Sequence, residues 1–143
     1  MKMHPYKVNL NWTSDRKGEI SSPDLETTID VATPPEFPKG MKGIWSPEHL
    51  FTAAVNSCFM TTFLAIAENS KLEYSEFSCE SEGILDQVEG KYLMTEVILK
   101  PKLKLINGAD VEKAKKIFQK SEKACLISNS IKSTTSLIGE ITS

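Results

Sequence analysis

Two cysteines are the residues of this chain best suited to chemistry, because a thiolate is a strong nucleophile that can be oxidised and reduced again. Cys58 lies inside a long apolar segment, and Cys125 follows a lysine-rich segment much later in the sequence. Any chemistry that uses both thiols must therefore be assembled by the fold. A peroxidatic cysteine and its resolving partner would be arranged in this way.

Other cysteine chemistries find little support in the spacing. Cys79 and the two histidines, His4 and His49, form no pair at the spacing of zinc ligands, and the chain has no C-x-x-C motif. Cys79 also follows Phe77 in a predicted strand, where a small thiol is commonly a packing residue. We therefore expect no metal, no cofactor and a structural role for Cys79.

Length, composition and charge describe an ordinary globular chain. With 143 residues, 40% of them hydrophobic and 25% charged, we expect a single domain over residues 1–143. A net charge of −2 and the lack of a lysine run argue against nucleic acid as a partner. Three cysteines without paired spacing suit a reducing cytoplasm, and residues 1–10 lack the apolar region of a secretory signal.

Alternating apolar and polar residues predict that the chain opens with an antiparallel meander. The predicted strands cover residues 6–12, 19–21 and 25–31. The first of them has the pattern of a half-buried strand. Residues 32–45 hold three prolines and two glycines, which predicts a long irregular loop without a helix.

A helix should begin at Ser46-Pro47-Glu48, with serine as the cap, proline in the first helical position and a carboxylate where the helix dipole favours it. It should run to about Asn69 and be buried all round, because its apolar residues point in nearly every direction. A membrane span is the alternative interpretation, but polar residues including Asn56 interrupt the apolar stretch, so we expect no membrane.

The second half predicts a hairpin, a helix and a last strand. Strands near residues 72–85 and 91–105 form the hairpin, and the helix runs from about residues 107–110 to about Cys125. A helical turn is expected at residues 128–132, and the last strand is expected around residues 137–141. The result is an α+β fold. Its apolar surface exceeds what one thin sheet can cover, which predicts a homodimer.

Three separated motifs resemble the OsmC/Ohr family of thiol-dependent peroxidases, over nearly the whole chain. Residues 46–59 are similar to the family's N-P-E-x-L-F-A-A-x-x-x-A-C-F helix, with the same ten-residue step from Glu48 to Cys58. Cys125 with Ser128-Asn129 is similar to the family's C-P-x-S-N. Arg16-Lys17-Gly18 resembles the R-x-G turn of the Ohr branch, to which the chain is closer.

The resemblance implies an OsmC-like fold with antiparallel sheets and a long central helix, assembled as an intertwined homodimer. The implied order is three strands, a helix, two strands, a helix and a strand. The implied reaction reduces an organic hydroperoxide to an alcohol and water. Cys58 would be the peroxidatic thiolate and Cys125 the resolving thiol. A dithiol, of lipoyl type in the Ohr branch, would then reduce their disulfide.

Two departures from the family pattern bear on the site. Leu126 and Ile127 follow Cys125 where the family usually has proline, so the wall around the resolving cysteine should differ. In the OsmC branch the active-site arginine lies in the loop before the helix, where this chain has Phe37-Pro38-Lys39. Arg16 takes that role only if the chain is Ohr-like.

The implied mechanism has a physical reason in the residues. Apolar surroundings would raise the pKa of Cys58, so its thiolate needs a positive neighbour. The guanidinium of Arg16 at about 4 Å would contribute on the order of 4 kcal/mol, which is nearly three pKa units. Glu48 is the candidate to orient that arginine. Because ten residues of helix span about 15 Å, we expect Arg16 and Glu48 to act on the partner subunit's cysteine.

Simpler interpretations stay open beside this one. Without the resemblance, Arg16 is a solvated turn residue and Glu48 a plain helix-start carboxylate. The chain could also be a redox-responsive protein of the same fold whose cysteines meet another electrophile. A third hypothesis is a small-ligand-binding or structural dimer with inert, buried thiols.

Overall fold

The computed structural model describes residues 2–143, which form two compact units, residues 2–50 and residues 51–143. The strands are β1 (Asn9–Ser14), β2 (Lys17–Ser22), β3 (Leu25–Ala32), β4 (Tyr74–Val88), β5 (Lys91–Leu105), β6 (Thr134–Leu137) and β7 (Glu140–Thr142). The helices are α1 (Pro47–Asn69) and α2 (Val111–Ala124). This is the predicted α+β architecture. The prediction of one domain over residues 1–143 stays a prediction.

The first unit is the predicted antiparallel meander, in the order β1-β2-β3. Its first strand begins at Asn9, and the prediction that this strand is half-buried is wrong, since all six residues of β1 are exposed. Trp12 is 76% exposed. The reason is that residues 2–50 hold no second layer to cover a three-stranded sheet. Residues 33–45 form the predicted irregular loop, pinned where Ala32 N–H donates to the Trp45 carbonyl at 2.8 Å.

Helix α1 has the predicted ends. Ser46 Oγ accepts the backbone N–H of His49 at 3.1 Å, and Pro47 takes the first position, where no N–H is needed. The prediction that α1 is buried all round is wrong. Only one stripe is buried, whereas Met60 and Leu64 are 39% and 38% exposed. The reason is that the strands and helix of the second unit pack along one side of α1. The buried stripe consists of Val55, Cys58, Phe59, Phe63 and Ala67.

By length and composition alone, α1 could cross a membrane. Its buried stripe belongs to the core of the second unit, however, where Phe63 stacks on Phe77 with ring centroids 4.6 Å apart. Phe63 also meets Phe118 of α2 at 5.4 Å. These contacts are those of a helix in the core of a globular unit.

The hairpin of β4 and β5 carries that core. Glu89 and Gly90 at its turn both have positive φ, as the tight turns that match the twist of paired strands require. Alternate residues of β5 face α1 and α2, which buries them. These core residues of β5 are Val97, Leu99, Leu103 and Leu105.

The last predicted strand is divided in two. Strands β6 and β7 both run parallel to β5, pairing with residues 96–99 and 102–104 of it. The break at Ile138 and Gly139 lies level with Pro101, which has no N–H to give to a sheet ladder. The proline therefore explains why one predicted strand became two short ones.

Candidate active site

Helix α1 places Cys58 on its buried stripe. The Asn56 side chain donates to the Cys79 carbonyl at 3.0 Å, which ties α1 to β4 two residues before Cys58. Gly83 of β4 allows α1 to lie close to this strand, because a Cβ at residue 83 would run into the Thr52 side chain of α1. Cys58 keeps 9% of its surface exposed. The residue is thus held at the margin of the core.

The end of α2 places Cys125. This residue leaves the helix with φ −65° and ψ 111°, an extended conformation. The Asn129 side chain donates to the Lys123 carbonyl at 3.0 Å, and its backbone N–H donates to the Cys125 carbonyl at 3.1 Å. Carbonyls that the helix cannot satisfy are thereby paired. Cys125, at 0% exposure, is held in a tight turn formed by residues 125–130.

The two thiols meet in the second unit, and both are free. Burial raises the pKa of Cys58, yet the net shift is downward from the ordinary value of 9.0 because hydrogen bonds reach its sulfur. Donors that favour a thiolate lower a cysteine pKa in this way. In order of effect they are the Cys125 thiol, the Ile127 N–H, the Thr62 hydroxyl and the Leu126 N–H.

The pKa of Cys125 moves the opposite way. Burial raises it, and the hydrogen bond that its thiol donates to Cys58 raises it further. Ser128 acts against this rise, since its hydroxyl and backbone N–H both face the Cys125 sulfur. Within residues 2–143 the buried Ser128 hydroxyl finds no conventional hydrogen-bond partner. The two pKa shifts therefore favour the thiolate at Cys58 and the protonated thiol at Cys125.

The third cysteine differs. Burial raises the pKa of Cys79 to about 11; a hydrogen bond from the Lys100 backbone N–H opposes this rise, and the charge of Glu80 adds to it. The Cys79 thiol lies in β4 and donates to the Glu80 carbonyl at 3.5 Å. At neutral pH it is protonated and unreactive.

The other two candidate residues belong to the first unit. Arg16 is an exposed residue of the turn between β1 and β2. It lines a cavity of about 260 Å³ together with apolar side chains of Leu10, Trp12 and Val31. Glu48 lies in the first turn of α1, half-buried, with one carboxylate oxygen out of solvent. The roles predicted for Arg16 and Glu48 stay predictions.

Sequence reasoning missed the donors around Cys58. Thr62 is four residues after Cys58 on α1, the spacing that puts two side chains on one helix face, so its position could have been found. The N–H groups of Leu126 and Ile127 could not, since they depend on how the chain turns after α2. No group of three or more metal-binding side chains comes together within residues 2–143.

Known proteins give the arrangement a context. The family model described as OsmC-like protein matches residues 40–138. The uncharacterized protein YmaD of Bacillus subtilis is 31% identical over 96% of this chain and 93% of its own length.

Two solved structures are similar in fold. An OsmC-like protein of unknown function from Vibrio cholerae superposes with a TM-score of 0.86 at 21% identity, over 96% of this chain and 99% of that one. The organic hydroperoxide resistance protein OsmC of Legionella pneumophila gives a TM-score of 0.78 at 22% identity, over 100% of both chains.

Proposed function

Because the chain belongs to the OsmC-like protein family, we propose that it is a thiol-dependent peroxidase that reduces organic hydroperoxides. The observation that carries the proposal is that two free cysteines interact in one unit, Cys58 with a lowered pKa and Cys125 with a raised one. A nucleophile and a second thiol within reach of it are the two parts that such a reaction needs. The Legionella relative, named for organic hydroperoxide resistance, adds support.

In the first step the Cys58 thiolate attacks the terminal oxygen of the hydroperoxide. A sulfur–oxygen bond forms as the oxygen–oxygen bond breaks, and the alkoxide that leaves takes up a proton to become the alcohol. Cys58 is then a sulfenic acid. The lowered pKa of Cys58 matters here because the thiolate, not the thiol, is the nucleophile.

In the second step Cys125 attacks the Cys58 sulfur and displaces its oxygen as water, leaving a disulfide between the two. Ser128 assists because its two donors favour the Cys125 thiolate, which is the attacking form. An external dithiol, of lipoyl type, restores both thiols. This need for repeated reduction supports placing the protein in the cytoplasm.

The proposed working unit is a homodimer. The first unit exposes large apolar side chains on its sheet and just before it, which a monomer rarely leaves to water. They include Val8, Leu10, Trp12 and Leu25, each at least 65% exposed. In this proposal a partner subunit covers that face, and Arg16 with Glu48 acts on the partner's thiolate. The apolar lining of the cavity at Arg16 supports an apolar organic group on the hydroperoxide.

The peroxidase proposal is tested by turnover. We expect consumption of cumene hydroperoxide to exceed that of hydrogen peroxide when dihydrolipoamide is the reductant, with glutathione and thioredoxin as comparisons. Mass spectrometric peptide mapping of the oxidised protein should find Cys58 linked to Cys125. No turnover with any reductant, or a disulfide that uses Cys79, would reject the assignment in favour of a redox-responsive or ligand-binding protein.

Mixed dimers test the origin of the arginine. Coexpressed Cys58→Ser and Arg16→Ala chains should regain about one working site per heterodimer, because one chain keeps its cysteine and the other its arginine. Sedimentation should first show that the parents are dimers and that subunits have mixed. Mixtures no more active than the parent homodimers would mean that Arg16 serves its own chain.

A further inference from the structure

The loop before α1 borders an open cavity of about 430 Å³ within the first unit. Its lining residues are all different from those of the cavity at Arg16. Two aromatic rings, two apolar side chains, a carboxylate and a glycine form its walls. These residues are Trp45, His49, Pro35, Ile44, Glu36 and Gly43. The proposed peroxidase reaction uses none of these six residues.

Contacts within the loop hold the walls of this cavity in place. The Ala32 N–H donates to the Trp45 carbonyl at 2.8 Å, which fixes the backbone at the end of the loop. Gly40 packs so closely on Pro34 that a Cβ at residue 40 would overlap the Pro34 carbonyl. The cavity is therefore present before any ligand binds, which spares a ligand the entropy cost of ordering the loop.

Trp45 and His49 form two walls at right angles to each other. Their ring centroids are 6.1 Å apart, with an interplanar angle of 86°. Trp45 keeps 52% of its surface exposed although its backbone is fixed, so the indole is held in place and open to solvent. Such an indole attracts cations, because the face of an aromatic ring carries partial negative charge.

The charges around the cavity also favour a cation. Glu36 supplies a carboxylate, and among the described residues no lysine or arginine lines this cavity. His49 adds no positive charge. Its Nδ1 lies 2.7 Å from the hydroxyl of Ser46, which is fully buried and needs an acceptor for its proton. Nδ1 therefore accepts this hydrogen bond, which the nitrogen of an imidazolium could not do.

The start of α1 lies beside the cavity, because His49 belongs to the first turn of this helix. A helix start carries partial positive charge, which opposes a cation nearby. Two features of the chain offset that charge. The Ser46 hydroxyl accepts the His49 backbone N–H at 3.1 Å, and Glu48 places a carboxylate in the first turn. The cavity therefore keeps the negative character that Glu36 gives it.

We propose that this cavity binds a small organic cation, with its ammonium group beside Glu36 and its apolar body on Trp45 and Ile44. The site differs from the thiol pair in both place and chemistry. It lies within residues 2–50, whereas the three cysteines lie within residues 51–143. The inference does not rest on the proposed peroxidase function.

Three probes of similar size and different charge test the site in the full chain. Phenethylammonium is the cation, phenethyl alcohol is its neutral counterpart and phenylacetate is the anion. NMR titration of the Trp45 indole N–H should give phenethylammonium a Kd about tenfold below that of the alcohol, because the cation adds an ion pair and a contact with the indole face. Phenylacetate should bind most weakly. Trp12, whose indole N–H donates to the Asp15 carbonyl at 3.0 Å outside this cavity, is the internal reference.

The matched variants are Glu36→Gln and Glu26→Gln. Both remove one negative charge from an exposed residue of the first unit, but of the two only residue 36 lines the cavity. Glu36→Gln should weaken phenethylammonium binding by about fivefold and leave the alcohol unchanged, whereas Glu26→Gln should change neither. Trp45→Leu keeps an apolar wall without the indole face. It should also weaken binding of the cation by about fivefold, measured at the backbone amide of Gly43.

Equal affinities for the cation and the alcohol, or no saturable shift with the cation, would overturn the site. So would equal affinities of Glu36→Gln and Glu26→Gln for phenethylammonium, or shifts of Trp12 as large as those of Trp45. The ammonium could belong to a free amine or to a protein side chain. Tighter binding of N-acetyl-lysine methylamide than of phenethylammonium would support the site with a lysine side chain as its ligand, and the reverse order would support it with a free amine. None of these probes is a peroxide, so the result is independent of hydroperoxide turnover.

Discussion

Cys58 and Cys79 lie in the same unit, yet their pKa values move apart. Burial raises both, but the net pKa of Cys58 falls below 9.0 whereas that of Cys79 rises to about 11. The two sulfurs differ in the number of groups that hydrogen-bond to them. Four such groups lower the pKa of Cys58, whereas only the Lys100 backbone N–H lowers that of Cys79, whose thiol donates to the Glu80 carbonyl. Donors around a sulfur can thus offset the effect of burial on the pKa of a cysteine.

The largest expected effect separates these two cysteines by function. Cys58→Ser should abolish hydroperoxide turnover, because a serine hydroxyl cannot become a nucleophile of comparable strength here. Cys79→Ser, the matched control, should keep nearly full activity. A steady-state assay with cumene hydroperoxide measures the turnover of both variants. Activity of Cys58→Ser above that of an enzyme-free blank would contradict the prediction that Cys58 is the nucleophile.

Next in size is the loss of the second thiol. Cys125→Ser should complete one fast reduction and then stop at a sulfenic acid on Cys58, which excess peroxide drives to the sulfinic acid. Intact-protein mass spectrometry would detect additions of one and then two oxygen atoms. Repeated turnover of hydroperoxide by this variant with a dithiol would contradict the prediction, because Cys125 would then be dispensable.

A smaller effect is expected at Thr62, one of the donors on Cys58. Thr62→Val keeps the shape and removes the hydroxyl, so alkylation of Cys58 at pH 7 should slow by up to about tenfold. Thr62→Ser retains a hydroxyl and should restore most of the rate. If both variants react alike, the hydroxyl has no part in stabilising the thiolate.

The smallest effect concerns stability at alkaline pH. Between the ordinary pKa of 9.0 and the folded value of about 11, Cys79 keeps its proton in the folded chain and loses it in the unfolded chain. The unfolded state binds fewer protons, so the free energy of unfolding should fall as pH rises through this window. The free energy of unfolding, measured with urea, should fall more steeply with pH for the wild type than for Cys79→Ser. Parallel pH profiles of the two proteins would contradict this prediction.

Much of the fold could be predicted because local signals and tertiary structure agree. Ser46 and Pro47 specify the start of α1, and the period of β5 specifies its buried face. The errors come from long-range effects. Apolar residues all round α1 were interpreted as complete burial, although one chain covers only one side, and Pro101 acts on a strand distant in sequence.

The candidate site was less accessible to sequence reasoning. Motifs that resemble the family pointed to Cys58 and Cys125, but no spacing rule places residues from two helices side by side. Backbone amides carry no signature in a sequence at all. Their positions follow from the turn that Asn129 and Ser130 close, and that turn is a property of the folded chain.

Cys125 lies just past the last turn of α2, on backbone that is already extended. Rotations about the backbone bonds at Cys125 can bring its sulfur to Cys58 without unwinding α2. Far-UV circular dichroism should therefore be the same before and after oxidation. The movement has to be absorbed by the next residue, Leu126, whose side chain lies mostly in solvent. In the proposed peroxidase cycle, Leu126 is thus the residue through which a change at the buried sulfur pair would reach the surface.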